Sequence, residues 1–205
     1  MTITLHRRAV LAAVSGLALA GCTDIVGPPP SPKMYVLAPK FAAVPGAPVT
    51  WALDVQTPDA TAGLDSERIV IARPPAGLDF YAGAAWSDRL PLLLQSLLVE
   101  AFESSGRIAS VARDSDGARS DFILNTALRN FEARYDAGEG APLGVVRLGV
   151  RLIETRSRRI AATTVISKEV RASANTVDAG VAAITGAFSE VLTELVPWVL
   201  QQQPH

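Results

Sequence analysis

Over residues 145–152 apolar and polar positions alternate. Val146, Leu148, Val150 and Leu152 fall on one side, and Arg147, Gly149 and Arg151 on the other. A period of two sends one face into a core and the other into water, which predicts a half-buried strand over residues 143–154. Similar strands are expected over 122–135 and 160–171, the latter entered through a tight turn at Arg156, Ser157 and Arg158. Upstream, Val49, Trp51, Leu53 and Val55 alternate with Thr50, Ala52 and Asp54, while residues 35–37 and 108–112 read as short strands. Residues 68–73 and 78–81, parted by Pro74, Pro75 and Gly77, form an antiparallel ribbon that turns at the prolines.

Two segments have a different period. Leu90, Leu93, Leu94, Leu97, Leu98, Ala101 and Phe102 recur at helical spacing, predicting an amphipathic helix from about Trp86 to Ser105. Pro91 lies in its first turn, where a missing N–H does little harm, and Gly106 stands where a C-terminal cap belongs. From about Thr176, the positions Val177, Val181, Ile184, Phe188, Val191 and Leu195 make a second stripe, which Pro197 is expected to end or kink. The order strands, helix, strands, helix predicts an α+β domain: an antiparallel or mixed sheet with two amphipathic helices packed on one face.

The N-terminal region carries a different signal. Arg7 and Arg8 precede an apolar run over residues 9–20 that is of signal-peptide length and too short to span a bilayer. The run closes on Leu19, Ala20, Gly21 and Cys22, which is a lipobox: small residues give a peptidase access to the backbone, and Leu19 fills an apolar slot. The reading is a lipoprotein signal peptide over 1–21, a lipidated proline-rich tether over 22–33 and a single periplasmic domain over 34–205. Several acyl chains on Cys22, at about 0.8 kcal/mol per methylene, would hold the protein at a membrane surface. The tether, with Pro28, Pro29, Pro30 and Pro32, reaches at most about 35 Å as extended polyproline-like chain. Alternatives are an ordinary secretory signal with a chance cysteine and, from the paired arginines, twin-arginine export in place of the general route.

Composition narrows the chemistry. Cys22 is the sole cysteine, and of the two histidines His6 falls in the leader and His205 beyond the last helix. The folded body therefore has no thiol and no histidine, which excludes Ser-His-Asp and Cys-His nucleophile systems and zinc sites built on His or Cys. No metal or cofactor is expected. Removing Arg7 and Arg8 with the leader leaves 17 basic against 20 acidic residues, a balance that suggests neither nucleic acid nor a polybasic membrane patch. No later apolar run is read as a membrane span, and acylation is the one expected anchor.

The pattern resembles the auxiliary lipoproteins of ABC-type transporters that work with Mce-domain proteins in Gram-negative envelopes. The resemblance rests on Tyr35-Val36-Leu37 after the tether, Leu64-Asp65 ahead of Ile69-Val70-Ile71-Ala72-Arg73-Pro74, and Trp86 opening a leucine-rich helix. It continues through Asn130-Phe131-Glu132, the alternating strand at 145–152, and Pro197-Trp198-Val199. It implies a non-catalytic role in moving lipids or hydrophobic solutes between the membranes. The implied partners are a periplasmic Mce-domain protein with its inner-membrane permease and ATPase, and possible contact with phospholipid. No Gly-rich Lys-Ser/Thr loop is present, so ATP hydrolysis would belong to the partner. Thr23, not Asp, follows Cys22, which under the enterobacterial sorting rule favours the outer membrane over the inner. The other readings are an accessory lipoprotein of outer-membrane protein or lipopolysaccharide export, and an envelope enzyme working through carboxylates such as Asp88, Glu100 and Glu103.

Within the folded body, Arg129, Arg147 and Arg151 are the candidate partner surface, on one wet sheet face that could meet an acidic partner or lipid headgroups; an ordinary polar face is the plainer reading. Trp198 is a second candidate contact, beside the polar tail of Gln201, Gln202 and Gln203. Trp51 and Trp86 are expected in the core, and Arg68 and Arg73 as solvated edge residues.

Overall fold

The computed structural model describes residues 31–203, apart from 74, 76, 109 and 137–139. Its centre is strand β7 (Phe122–Arg134), which runs antiparallel to β8 (Leu143–Glu154) along one whole edge. β8 in turn pairs antiparallel with β9 (Ile160–Arg171). Along its other edge β7 meets three short strands end to end, all parallel to it: β2 (Leu53–Val55), β3 (Asp59–Ala60) and β4 (Arg68–Arg73). Beyond β2 lies β6 (Val111–Arg113), and beyond β4 lie β5 (Gly77–Trp86) and then β1 (Lys33–Tyr35). The nine strands thus make one mixed sheet, antiparallel in its later half because hairpins join β7, β8 and β9, and largely parallel where crossovers return the chain.

Two helices cover the sheet: α1 (Leu90–Ser104) and α2 (Val177–Leu200). In α1 the side chains of Leu90, Leu94, Leu98, Ala101 and Phe102 are buried, one turn apart on one stripe. Pro91 occupies the first turn and Gly106, at φ +66°, follows the last, as the sequence predicts. Thr176 caps α2, its hydroxyl accepting from the Ala179 N–H, and Val181, Ile184, Phe188, Val191 and Leu195 are buried against β7, β8 and β9. By length and composition α2 could cross a membrane, which the sequence reading did not anticipate. Its apolar stripe is instead spent on the sheet. Both helices bury their stripes in one core with Phe131, Trp86 and Leu148.

Several boundaries depart from the sequence reading. The first strand is Lys33–Tyr35, not 35–37, because β1 pairs with Ala84, Ala85 and Trp86. Only Leu53–Val55 of the 49–55 alternation forms a ladder, although Trp51 is buried as the alternation requires, and Val49 makes one parallel bridge to Ile108. The strand expected at 108–112 is accordingly Val111–Arg113, and β3 was not foreseen. Trp86 does not open a helix. It ends β5, its N–H donating to the Glu67 carbonyl, and its spacing to Leu90 mimics one more helical turn. Nor does Pro197 end the helix, since α2 runs on to Leu200. In the last turn a missing N–H removes one hydrogen bond while φ stays helical.

Candidate functional site

The candidate surface is the outer face of β7 and β8, opposite the helices. Val146, Leu148, Val150 and Leu152 point inward and are buried, so Arg147, Gly149 and Arg151 point out, and both arginines are exposed. Arg129 joins them through a bulge in β7. Leu128 pairs with Leu148 and Asn130 with Arg147, leaving Arg129 as the extra residue. Gly149 receives its side chain: a Cβ built there would lie 3.0 Å from both Nε and Nη2 of Arg129. The guanidinium therefore lies over a glycine flanked two residues away by Arg147 and by Arg151. Asn125 and Thr163 stand beside Arg151, and Asn130 and Ser167 beside Arg147, so no carboxylate pairs directly across from either. Among the described residues, none of the three arginines has an ion pair.

Acids on this face have partners of their own, Asp59 lying 3.5 Å from Asn125 Nδ2 beside Arg151. Arg134 holds Glu169 through paired bonds of 2.8 Å each and also reaches Asp136 at 2.7 Å. Glu132 is buried, accepts from Asn130 Nδ2 at 3.1 Å, and burial pushes its carboxyl above the usual range. A carboxyl raised in the folded state holds its proton longer than in the unfolded chain. Stability therefore falls as pH rises through the window between the ordinary carboxylate value and the raised one. Glu132→Gln is expected to remove that slope and raise stability at neutral pH, as denaturant titrations at acidic and neutral pH would show; an unchanged slope would place the origin elsewhere.

The other candidates lie apart from this face. Trp198 is part of α2, half-buried against the core, its carbonyl accepting from Gln202 Nε2 at 2.9 Å. It belongs to the helix side of the sheet, away from the arginines. Trp51 and Trp86 are core residues, edge-on to Phe122 and Phe131 respectively. Arg68 and Arg73, expected to be simply solvated, cover the rings of Phe80 and Tyr135 at 3.2 and 4.5 Å from their centroids. Glu100 and Glu103 are exposed, and Asp88 accepts from the Arg89 N–H at 2.7 Å. No group of three or more possible metal ligands occurs among the described residues. Leu19, Ala20, Gly21 and Cys22 lie outside the described residues. The arginine trio was readable from strand alternation; the bulge and the role of Gly149 were not.

A family model for the ABC-type transport auxiliary lipoprotein component matches residues 35–196, which takes in the sheet apart from Lys33 and Met34 of β1 and all but the last turn of α2. The chain belongs to this family. Membership implies a membrane-anchored place in the cell envelope. The auxiliary lipoprotein is similar to protein XCC0632 from Xanthomonas campestris, whose crystal structure is matched at 33% identity and a TM-score of 0.77, over 82% of this chain and 94% of that one. A second crystal structure, of an uncharacterized protein, shares the fold at 15% identity and a TM-score of 0.65, over 83% of this chain and 99% of that one. The curated relative, protein bll6063 of Bradyrhizobium diazoefficiens, is 27% identical over 72% of this chain, which spans 39% of that relative's length.

Proposed function

We propose that this auxiliary lipoprotein is a non-catalytic docking component of an Mce-type ABC transport system, one that moves lipids or hydrophobic solutes between the membranes. Acylated Cys22 anchors it on the periplasmic face of the outer membrane, and the proline tether sets how far the domain reaches toward its partners. The observation that carries the reading is the family match from residue 35 onward, coming directly after a lipobox and a tether. The scaffold role is also supported by a body without histidine or cysteine, whose carboxylates Asp88, Glu100 and Glu103 sit on an exposed stretch around α1.

Crosslinking in intact cells, followed by purification of the tagged protein, tests this directly. The expected result is recovery of an Mce-domain protein from the outer-membrane fraction, with Cys22→Ala moving the lipoprotein to the soluble periplasm and weakening that recovery. Recovery of an outer-membrane protein or lipopolysaccharide export machine instead would overturn the Mce assignment. Fractionation with the inner membrane would overturn the anchoring site.

A further inference from the structure

The basic surface is larger than the trio. At the end of the sheet where β8 turns into β9, the chain carries Arg156, Arg158 and Arg159, all exposed. Arg158 adopts φ +57°, a left-handed conformation that glycine would take at less cost, so this turn carries a guanidinium at a position that disfavours a side chain. Arg119, from the connection before β7, lines a hollow of about 490 Å³ together with Arg156, and Ile123 on the outer face of β7 forms part of the same wall. The two carboxylates in that hollow are engaged or subdued: Asp121 accepts from the Ala52 N–H at 2.9 Å, and burial with the nearby charges of Asp114 and Asp116 pushes the Asp54 carboxyl up. Glu154, at the base of the turn, accepts from the Ser157 hydroxyl. Among the described residues, none of these four arginines has an ion pair.

These arginines lie on a chain whose expected mature charge is negative. Large aliphatic groups accompany it. Val165, directly across from Gly149, is 43% exposed, and Ile160, paired with Ile153, is 58% exposed. Guanidinium groups bind phosphate oxygens through paired N–H donors, and exposed branched aliphatics beside them suit the boundary between headgroups and acyl chains.

We infer that the outer face of β7, β8 and β9, with the β8–β9 turn, docks on a bilayer of anionic phospholipid, Arg129, Arg147 and Arg151 binding headgroup phosphates. The inference rests on the reading of the protein as a membrane-anchored lipoprotein, for a domain on a short tether meets the bilayer at high local concentration. Its test leaves out the anchor, so that the two readings fail separately. Every core residue named above lies beyond residue 36, and the chain from Pro32 onward is a compact unit, so the unacylated chain of residues 23–205 is a fair reagent.

Co-sedimentation of that chain is measured with vesicles of phosphatidylcholine alone and of phosphatidylcholine mixed with phosphatidylglycerol. Binding is expected only to the mixed vesicles and should weaken as salt is raised. The triple variant Arg129→Gln, Arg147→Gln, Arg151→Gln should bind about a hundredfold more weakly. A control removing the same charge on the helix side, Lys40→Gln, Arg89→Gln, Arg113→Gln, should bind as the parent does, and circular dichroism verifies that both variants fold. Equal binding to both vesicle types, no binding to either, or an equal loss in the helix-side control would overturn the inference. So would displacement by inorganic phosphate at concentrations matching the lipid phosphate, which would mark a free-anion site.

Discussion

Gly144→Val is expected to destabilise the domain by about 3 kcal/mol or more, lowering the thermal midpoint by roughly 10 °C for a chain of this size. Gly144 is the second residue of β8 and faces α2. A Cβ built there would lie 2.5 Å from the Ala183 carbonyl oxygen and closer still to Ala183 C and Ile184 N. These are backbone atoms of a helix, and no rotamer change moves them aside. The helix must lift from β8, loosening Ile184, Ala187 and Phe188, all of which are completely buried. The comparison that isolates the cause is Gly149→Ala. There the added carbon meets only the mobile end of Arg129, so the midpoint should shift by no more than about 2 °C. If thermal melts show the two variants equally stable, α2 does not approach β8 as closely as described.

Phe131→Ala should cost about 3–5 kcal/mol in chemical denaturation, with little change in the denaturant slope. Phe131 is wholly buried and touches Trp86 edge-on at 5.9 Å and Phe188 at 5.7 Å, linking β5, β7 and α2 through three rings. Truncation leaves a cavity that three different elements would have to move together to fill, and it removes two aromatic contacts worth about 0.5–1.5 kcal/mol each beyond their area. Phe131→Leu, which keeps most of the volume, should recover much of the loss. A cost below about 1 kcal/mol for the alanine variant would mean that the core closes around the site.

Phe131 also shows how far the chain can be read without its fold. Phe122, Leu124, Thr126 and Leu128 face inward on even positions, whereas Phe131 and Ala133 face inward on odd ones. Each half alternates cleanly by itself, but the bulge at Arg129 that shifts the phase between them shows only in the strand pairing. The long strands and the start of α2 are legible for the same reason: each has one side in water and one in the core over enough residues for a period to repeat. The errors cluster where elements are short. β3 has two residues and β1 three, too few for a period. Trp86 is misassigned because one large apolar residue at helical spacing from Leu90 looks the same whether it ends a strand or begins a helix.

The sequence by itself determined the α+β class, the strands–helix–strands–helix order, the core stripes, and the alternation that turns Arg147 and Arg151 outward. Family membership was already legible there as a resemblance. The tertiary structure alone decided that β7 carries three parallel strands on one edge, that Arg129 folds over Gly149, and that Arg119 shares a hollow with Arg156. The division has a physical basis. Periodicity is local, set by which side of an element meets water, and overall charge is a sum that hides where charges gather. Register, bulges and strand order bring distant side chains together, and those depend on pairing between segments that no local pattern specifies.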